Sequence, residues 1–367
     1  MKIIDADSHV MEGERVWDHL PAEFEPRRPR PVTVENAPHL GNLNTYWLVD
    51  GQTICRPYGR GAAVVGSPTS SAHAKKKRFS IPSQELTDVE ARLRDLDAFG
   101  IDVQVLFPSI FLVPLTDDPR FETALIRSYN RFMAHACRQR PDRLKWAAVL
   151  PMRDISAAVL EVRAARELDA AAVMTFGTVG HCMLHDPEFD PVWEAASRLR
   201  LPVCVHVGWS YPALRDSCEG LFAADNISFT FPLFMGFFSF AGGGILDRFP
   251  DLRVAFLEGG GGWLPYFVER MDHYFGAHTA NTWGILPKRR PSDYLRTGQI
   301  FATCEADELL LPQVLDCLGE DHVMVSADMP HAEAREGSIE ELQHRKDVSD
   351  AVKEKILWHN PARFYNL

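Results

Sequence analysis

The chain has 367 residues, 46% hydrophobic and 24% charged, which is the balance of a folded globular protein with room for one large α/β barrel or two ordinary domains. A net charge of -11 argues against nucleic acid as a partner, and no apolar run in the sequence reaches the roughly 18 residues that cross a bilayer. Seven cysteines, an odd number with no CxxC pair, exclude a zinc ribbon and read as reduced cytoplasmic thiols rather than a disulfide framework.

The N-terminus carries one lysine, a short apolar stretch and then Asp5, so it reads as a first strand over 3–8 and not as a signal peptide. Residues 21–85 are rich in Pro and Gly, with scattered aromatics (Tyr46, Trp47, Tyr58), and read as an insertion over the rim that carries the site. Within it, Lys75-Lys76-Lys77-Arg78 reads as a solvated loop. Thr87-x-x-Glu90 is a capping box, and Leu86, Val89, Leu93, Leu96 and Phe99 then share one helical face up to Gly100. Further strands are predicted at 102–107, 144–150, 170–176, 202–207, 252–257, 299–304 and 322–327, each followed by a helical pattern. They are near-continuous apolar runs, as expected of parallel strands buried on both faces. Eight such units make a (β/α)8 TIM barrel, taken as a single domain over 1–367.

The remaining segments read as rim loops (209–230 and 277–297) and as an aromatic helix, Phe231–Phe240. That helix suits the core or a dimer face, or lines an apolar substrate. The glycine runs Gly242–Gly244 and Gly259–Gly262 lack the GxGxxG and Walker patterns and read as tight turns.

Several strands end on a polar residue. Asp7-x-His9 closes the first, and period-two geometry puts both side chains on one face, able to share a cation. His206 closes the fifth, Glu258 the sixth and Asp328 the eighth. A buried carboxylate needs a partner, and a metal supplies one together with a bound water whose proton the carboxylate can take. Strand ends that converge in this way predict a metal-dependent enzyme.

On these residues the sequence resembles the amidohydrolase superfamily, in the branch of aminocarboxymuconate-semialdehyde and resorcylate-type decarboxylases. The resemblance runs from Asp5-Ala6-Asp7-Ser8-His9-Val10-Met11-Glu12 to Asn360-Pro361-Ala362-Arg363-Phe364. It implies a distorted barrel with one or two divalent metals at the strand C-termini. The family's first-strand HxH or ExH pair falls on Asp7 and His9, its strand-five His on His206 and its strand-eight Asp on Asp328. Where the decarboxylases carry His followed by Gly, this chain has Glu258-Gly259.

That substitution raises the carboxylate count. Asp7, Glu12, Glu258, Glu305 and Asp328 are all expected to look into one mouth with His9, His206 and His331, and such a charge is balanced better by two cations than by one. Glu258 is then a bridging or second-metal ligand. Glu12 is a ligand or the start of a helix, Glu305 a ligand or its neighbour, and His331 a ligand or a loop hydrogen-bonder. His73, in the insertion, is solvated or a ligand brought in by the loop. The DADSHxxE opening with a strand-six Glu resembles a subgroup of di-iron monooxygenases on this fold, the hydroxylases of aminoisobutyrate and of platensimycin-type diterpenoids.

The leading expectation is therefore an O2-activating enzyme with two Fe(II) (Mn or Zn as alternatives), hydroxylating a C–H bond of a small organic or terpenoid acid and drawing on an electron source. Asp328, Glu258 and His206 carry the chemistry. One alternative is a mononuclear decarboxylase or a C–C or C–N hydrolase. The other is a non-catalytic subunit of a heteromer. The resemblance also implies a small-molecule substrate and a homodimer.

Overall fold

Eight parallel strands follow one another around a barrel in the computed structural model, which describes residues 2–35, 44–54, 56, 59–63, 66–278, 287–331 and 337–367. They are β1 (Ile4–Val10), β2 (Val103–Pro108), β3 (Leu144–Val149), β4 (Ala172–Phe176), β5 (Val203–His206), β6 (Val254–Leu257), β7 (Ile300–Cys304) and β8 (Val323–Val325). Neighbours pair in chain order, for example His206 opposite Phe176 on one side and Leu257 on the other. The ring closes through the segment after β8, where Asp328 N–H donates to the Asp7 carbonyl at 3.2 Å and the Ser326 hydroxyl to the same carbonyl at 2.9 Å. All eight predicted strands are present, and no bound shifts by more than two residues.

Helices cover the barrel at α1 (Val89–Ala98), α2 (Pro119–Cys137), α3 (Ile155–Glu167), α4 (Asp190–Arg198), α5 (Phe231–Phe237), α6 (Leu264–His278), α7 (Leu311–Leu318) and α8 (Asn360–Tyr365). The apolar face predicted for α1 is buried, from Leu86 to Phe99. Its cap differs from the expected one. Leu86 takes a left-handed φ of 56°, which turns Thr87 aside, and Asp88 accepts from Ala91 N–H at 3.0 Å instead. Gly100, at φ 69°, ends the helix as predicted.

The helical run Leu221–Arg248, which contains α5, is long and apolar enough by composition to cross a bilayer. However, 67% of its most apolar window is buried in the fold, as in a core helix. Phe237 and Phe240 are buried, whereas Phe231 and Phe238 reach the surface.

Between β1 and α1, the strands Arg30–Thr33, Thr45–Val49 and Gln52–Ile54 form a small antiparallel sheet. Tyr46 and Trp47 are buried in it, and Tyr58 lies outside the described residues. Arg27 fastens this segment to α2. Its guanidinium meets Asp50 at 2.8 Å and the α2 cap Asp118 at 2.7 Å. A second tie corrects the reading of the basic run as a solvated loop. Lys77 extends its ammonium to the Pro330 carbonyl at 2.7 Å, beyond β8, so it spans from the insertion to the barrel rim. The six described cysteines form no disulfide, and four of them are buried.

Candidate metal centre

Four strands deliver the predicted donors to one place. Asp7 and His9 lie on β1 two residues apart, His206 ends β5, Glu258 follows β6, and Asp328 lies three residues past β8. His9 Nε2 is 2.8 Å from Glu258 Oε2, 3.5 Å from Asp328 Oδ1 and 3.9 Å from Asp7 Oδ1. His206 Nε2 is 3.3 Å from Glu258 Oε2 and 3.4 Å from Asp7 Oδ1. Glu258 and Asp328 hold φ angles of 62° and 49°, a left-handed conformation that costs a non-glycine residue on the order of 1 kcal/mol and gathers at functional sites.

The hydrogen bonds of the two histidines define what the cluster can hold. His9 Nδ1 is 2.9 Å from the Pro108 carbonyl, and His206 Nδ1 is 3.0 Å from the Val207 carbonyl. A carbonyl only accepts, so both Nδ1 atoms carry the proton and both Nε2 atoms present lone pairs to carboxylate oxygens. Burial, reinforced by the nearby His331 and His206, holds His9 well below the usual imidazole range, so a second proton does not relieve the clash. Both Asp7 oxygens and His206 Nε2 are buried without a hydrogen-bond partner. Acceptors aimed at acceptors at 2.8–3.5 Å fit a shared cation. The donor atoms of Asp7, His9 and His206, and those of His9, Glu258, Asp328 and His331, lie within 4.8 Å of one another in each group.

Three other predicted ligands sit differently. Glu12 is fully buried, but its two oxygens accept the backbone N–H groups of Ser109 and Ile110 at 2.9 Å each, which turns it away from the cluster. Burial pushes its carboxyl up to about 8. Glu305 is exposed on the rim of a cavity of about 180 Å³ that Glu258, Thr303 and Asp328 also line. His331 is within the cluster, with Nδ1 2.8 Å from Asp328 Oδ1 and Nε2 2.8 Å from Ser109 Oγ. His73 is half-buried on the helix Ala72–Lys76 and belongs to neither donor group. With Glu12 and Glu305 outside, three carboxylates face the cation position instead of five, and the charge argument for two cations falls away.

A second buried polar network lies directly beneath. Asp5 accepts from Gln104 Nε2 at 2.9 Å, from Ala327 N–H at 3.0 Å and from the Ser8 hydroxyl. Burial raises its carboxyl to about 6. Arg92, buried within α1, donates to Gln104 Oε1 and to the His9 carbonyl at 2.9 Å each, and to the Met329 carbonyl at 3.2 Å. It ties the end of β1 to the segment carrying Asp328. None of these residues was identified from the sequence. The available signal was an arginine at the Val89/Leu96 helical spacing and polar breaks inside two apolar strands.

A family model described as Amidohydrolase matches residues 81–367. The 2-amino-3-carboxymuconate-6-semialdehyde decarboxylase of Dictyostelium discoideum is 24% identical over 317 residues, 84% of this chain and 86% of that one. An amidohydrolase of Mycobacterium avium subsp. paratuberculosis K-10 superposes with a TM-score of 0.79 at 17% identity, over 100% of this chain and 98% of that one. The 5-carboxyvanillate decarboxylase of Novosphingobium aromaticivorans, solved with manganese and a nitrobenzoic acid, gives a TM-score of 0.67 at 24% identity, over 75% and 79% of the two chains. These findings overturn the expected di-iron monooxygenase. Two of these three relatives are named as decarboxylases, the metal in the solved decarboxylase is manganese, and Glu12, one of the carboxylates that called for a second iron, is bonded to backbone N–H groups instead.

Proposed function

The chain belongs to the amidohydrolase family, and from that premise we propose that it is a metal-dependent, non-oxidative decarboxylase of a small unsaturated or aromatic carboxylic acid. The observation that carries this reading is the set of buried imidazole lone pairs and carboxylates aimed at one another across 2.8–3.5 Å. Asp7, His9, His206, Glu258 and Asp328 would hold one divalent ion. When bound, it anchors the substrate carboxylate and draws electron density from it.

The residues supply the rest. Asp328, at the mouth with its Oδ1 2.8 Å from His331 Nδ1, holds the proton that is delivered to the carbon bearing the carboxylate. The C–C bond then breaks, its electron pair stays on that carbon to restore the unsaturated system, and CO2 leaves. A hydrogen has replaced a carboxyl group, and no oxidant is consumed. Glu258 stands where the decarboxylases of this branch carry an imidazole. Its Oε2 lies between the two histidine Nε2 atoms, and this supports a role as ligand rather than as a substrate-facing donor.

The substrate class draws support from a second cavity on the same rim. It measures about 160 Å³ and is lined by Phe111, Leu150, Met174 and Phe176, the last paired in register with His206, together with the charged Glu122, Arg153 and Arg215. A volume near 150 Å³ accommodates one benzene ring, and the charged residues on the wall suit a ring that carries polar groups. The insertion 21–85 is proposed to close this mouth, since Lys77 and Arg27 tie it to the segments after β8 and β2. The test is CO2 release from a panel of hydroxybenzoic and muconic acids by manganese-loaded protein, under argon and in air. Equal rates are expected. Turnover that needs O2 and consumes it would reject the reading.

A further inference from the structure

We infer that Arg215, with the hydroxyls of Thr178 and Ser210, forms a subsite for a second anionic group on the substrate, so that the preferred substrate is a dicarboxylic acid. Placing the substrate in this cavity rests on the decarboxylase reading above; the chemistry of the cavity wall does not. Thr178 follows β4, and Ser210 and Arg215 lie on the segment that leaves β5 after His206. All three line the cavity of about 160 Å³. Thr178 and Ser210 are buried, and their hydroxyl oxygens stand 2.8 Å apart. Two hydroxyls carry two hydrogens, and the bond between them uses one. The other hydrogen has no acceptor among the described residues and is left for a ligand.

The two arginines of the wall differ in the same way. Arg153 is fully engaged. Its Nε donates to Glu122 at 2.8 Å, and its Nη atoms donate to the Asp117 and Thr116 carbonyls at 3.3 and 2.6 Å. The Glu122 charge is matched by this pair. Asp117 and Asp216 are exposed. Arg215 is half-buried, and its one ion pair joins Nε to Asp216 at 3.5 Å, where solvent screens it. Its two Nη atoms make no hydrogen bond among the described residues. A planar fork with both ends open matches a carboxylate, and the spare hydroxyl hydrogen adds a donor on the same wall. A neutral substituent would cover the guanidinium without supplying a counter-charge. Phe111, Leu150, Met174 and Phe176 supply the apolar surface for the ring or chain between.

Calorimetric binding to the manganese-loaded protein tests this with two probes built on one benzene ring, isophthalate and neutral benzamide. The wild type is expected to bind isophthalate more tightly. Arg215→Met should weaken isophthalate about 10- to 100-fold, the range of a hydrogen bond to a charged group, and leave benzamide unchanged. Arg215→Lys, which keeps the charge but loses the fork, should recover part of the loss. Thr178→Val, which keeps the shape and removes a hydroxyl, should weaken isophthalate about three- to tenfold. Isophthalate affinity that survives Arg215→Met or Thr178→Val would overturn the inference. So would an equal loss for both probes in Arg215→Met, or a wild type that binds isophthalate no better than benzamide. If no acid on the panel releases CO2, these affinities still decide the subsite. If acids do react and Arg215→Met slows mono- and dicarboxylic ones alike, the subsite fails while the decarboxylase reading stands.

Discussion

Two buried polar clusters lie one above the other in this barrel, and they are built on opposite principles. In the lower one, Asp5, Ser8, Gln104 and Arg92 pair donors with acceptors among themselves and with the backbone around them, and only Arg92 Nη1 is left over. In the upper one, Asp7 and His206 bring buried acceptors together without a donor, on a mouth where Glu258 and Asp328 hold left-handed backbone angles. A satisfied network contributes rigidity and position. A frustrated one costs stability and persists because something else completes it. The lower cluster is the foundation that keeps the upper one in place.

The largest expected effect sharpens that contrast. His206→Ala or Asp7→Asn should reduce manganese affinity by more than the roughly 100-fold seen for outer partners, while the melting temperature of the metal-free protein holds or rises. Metal titration and calorimetry on the same samples would check this. Arg92→Met should do the reverse. It leaves Gln104 Oε1 and the His9 and Met329 carbonyls without their buried donor and should cost about 1–3 kcal/mol in denaturant unfolding, with manganese stoichiometry retained in the folded fraction.

Glu12 makes the third test, on pH. Its carboxyl is raised from 4.5 to about 8 by burial, so the folded state holds a proton that the unfolded chain releases near 4.5. Its contribution is fully present below pH 4.5 and is lost as pH rises towards about 8. Denaturation midpoints should therefore fall across that window in the wild type and fall less in Glu12→Gln. The smallest effect is expected at Glu258. Glu258→Gly relieves the φ of 62° and should stabilise the metal-free protein by about 1 kcal/mol, while weakening metal binding. If Glu258→Gly destabilises instead, the strain assigned to the upper cluster is wrong.

The sequence by itself determined the barrel and its donor strands. Both faces of each strand are buried, so the apolar runs stand out, and the β/α alternation follows from chain order alone. Asp7, His9 and His206 were legible because they lie within strands, where side-chain direction is periodic. Residues past a strand end have no such rule. Glu12 turns to the Ser109 backbone, Glu305 stays on the rim, and Asp88 caps α1 in place of Thr87. Only the tertiary structure decided these, because distant loops set the local backbone angles. It alone also revealed Arg92, whose bonds depend on groups from three segments meeting where no local spacing records them.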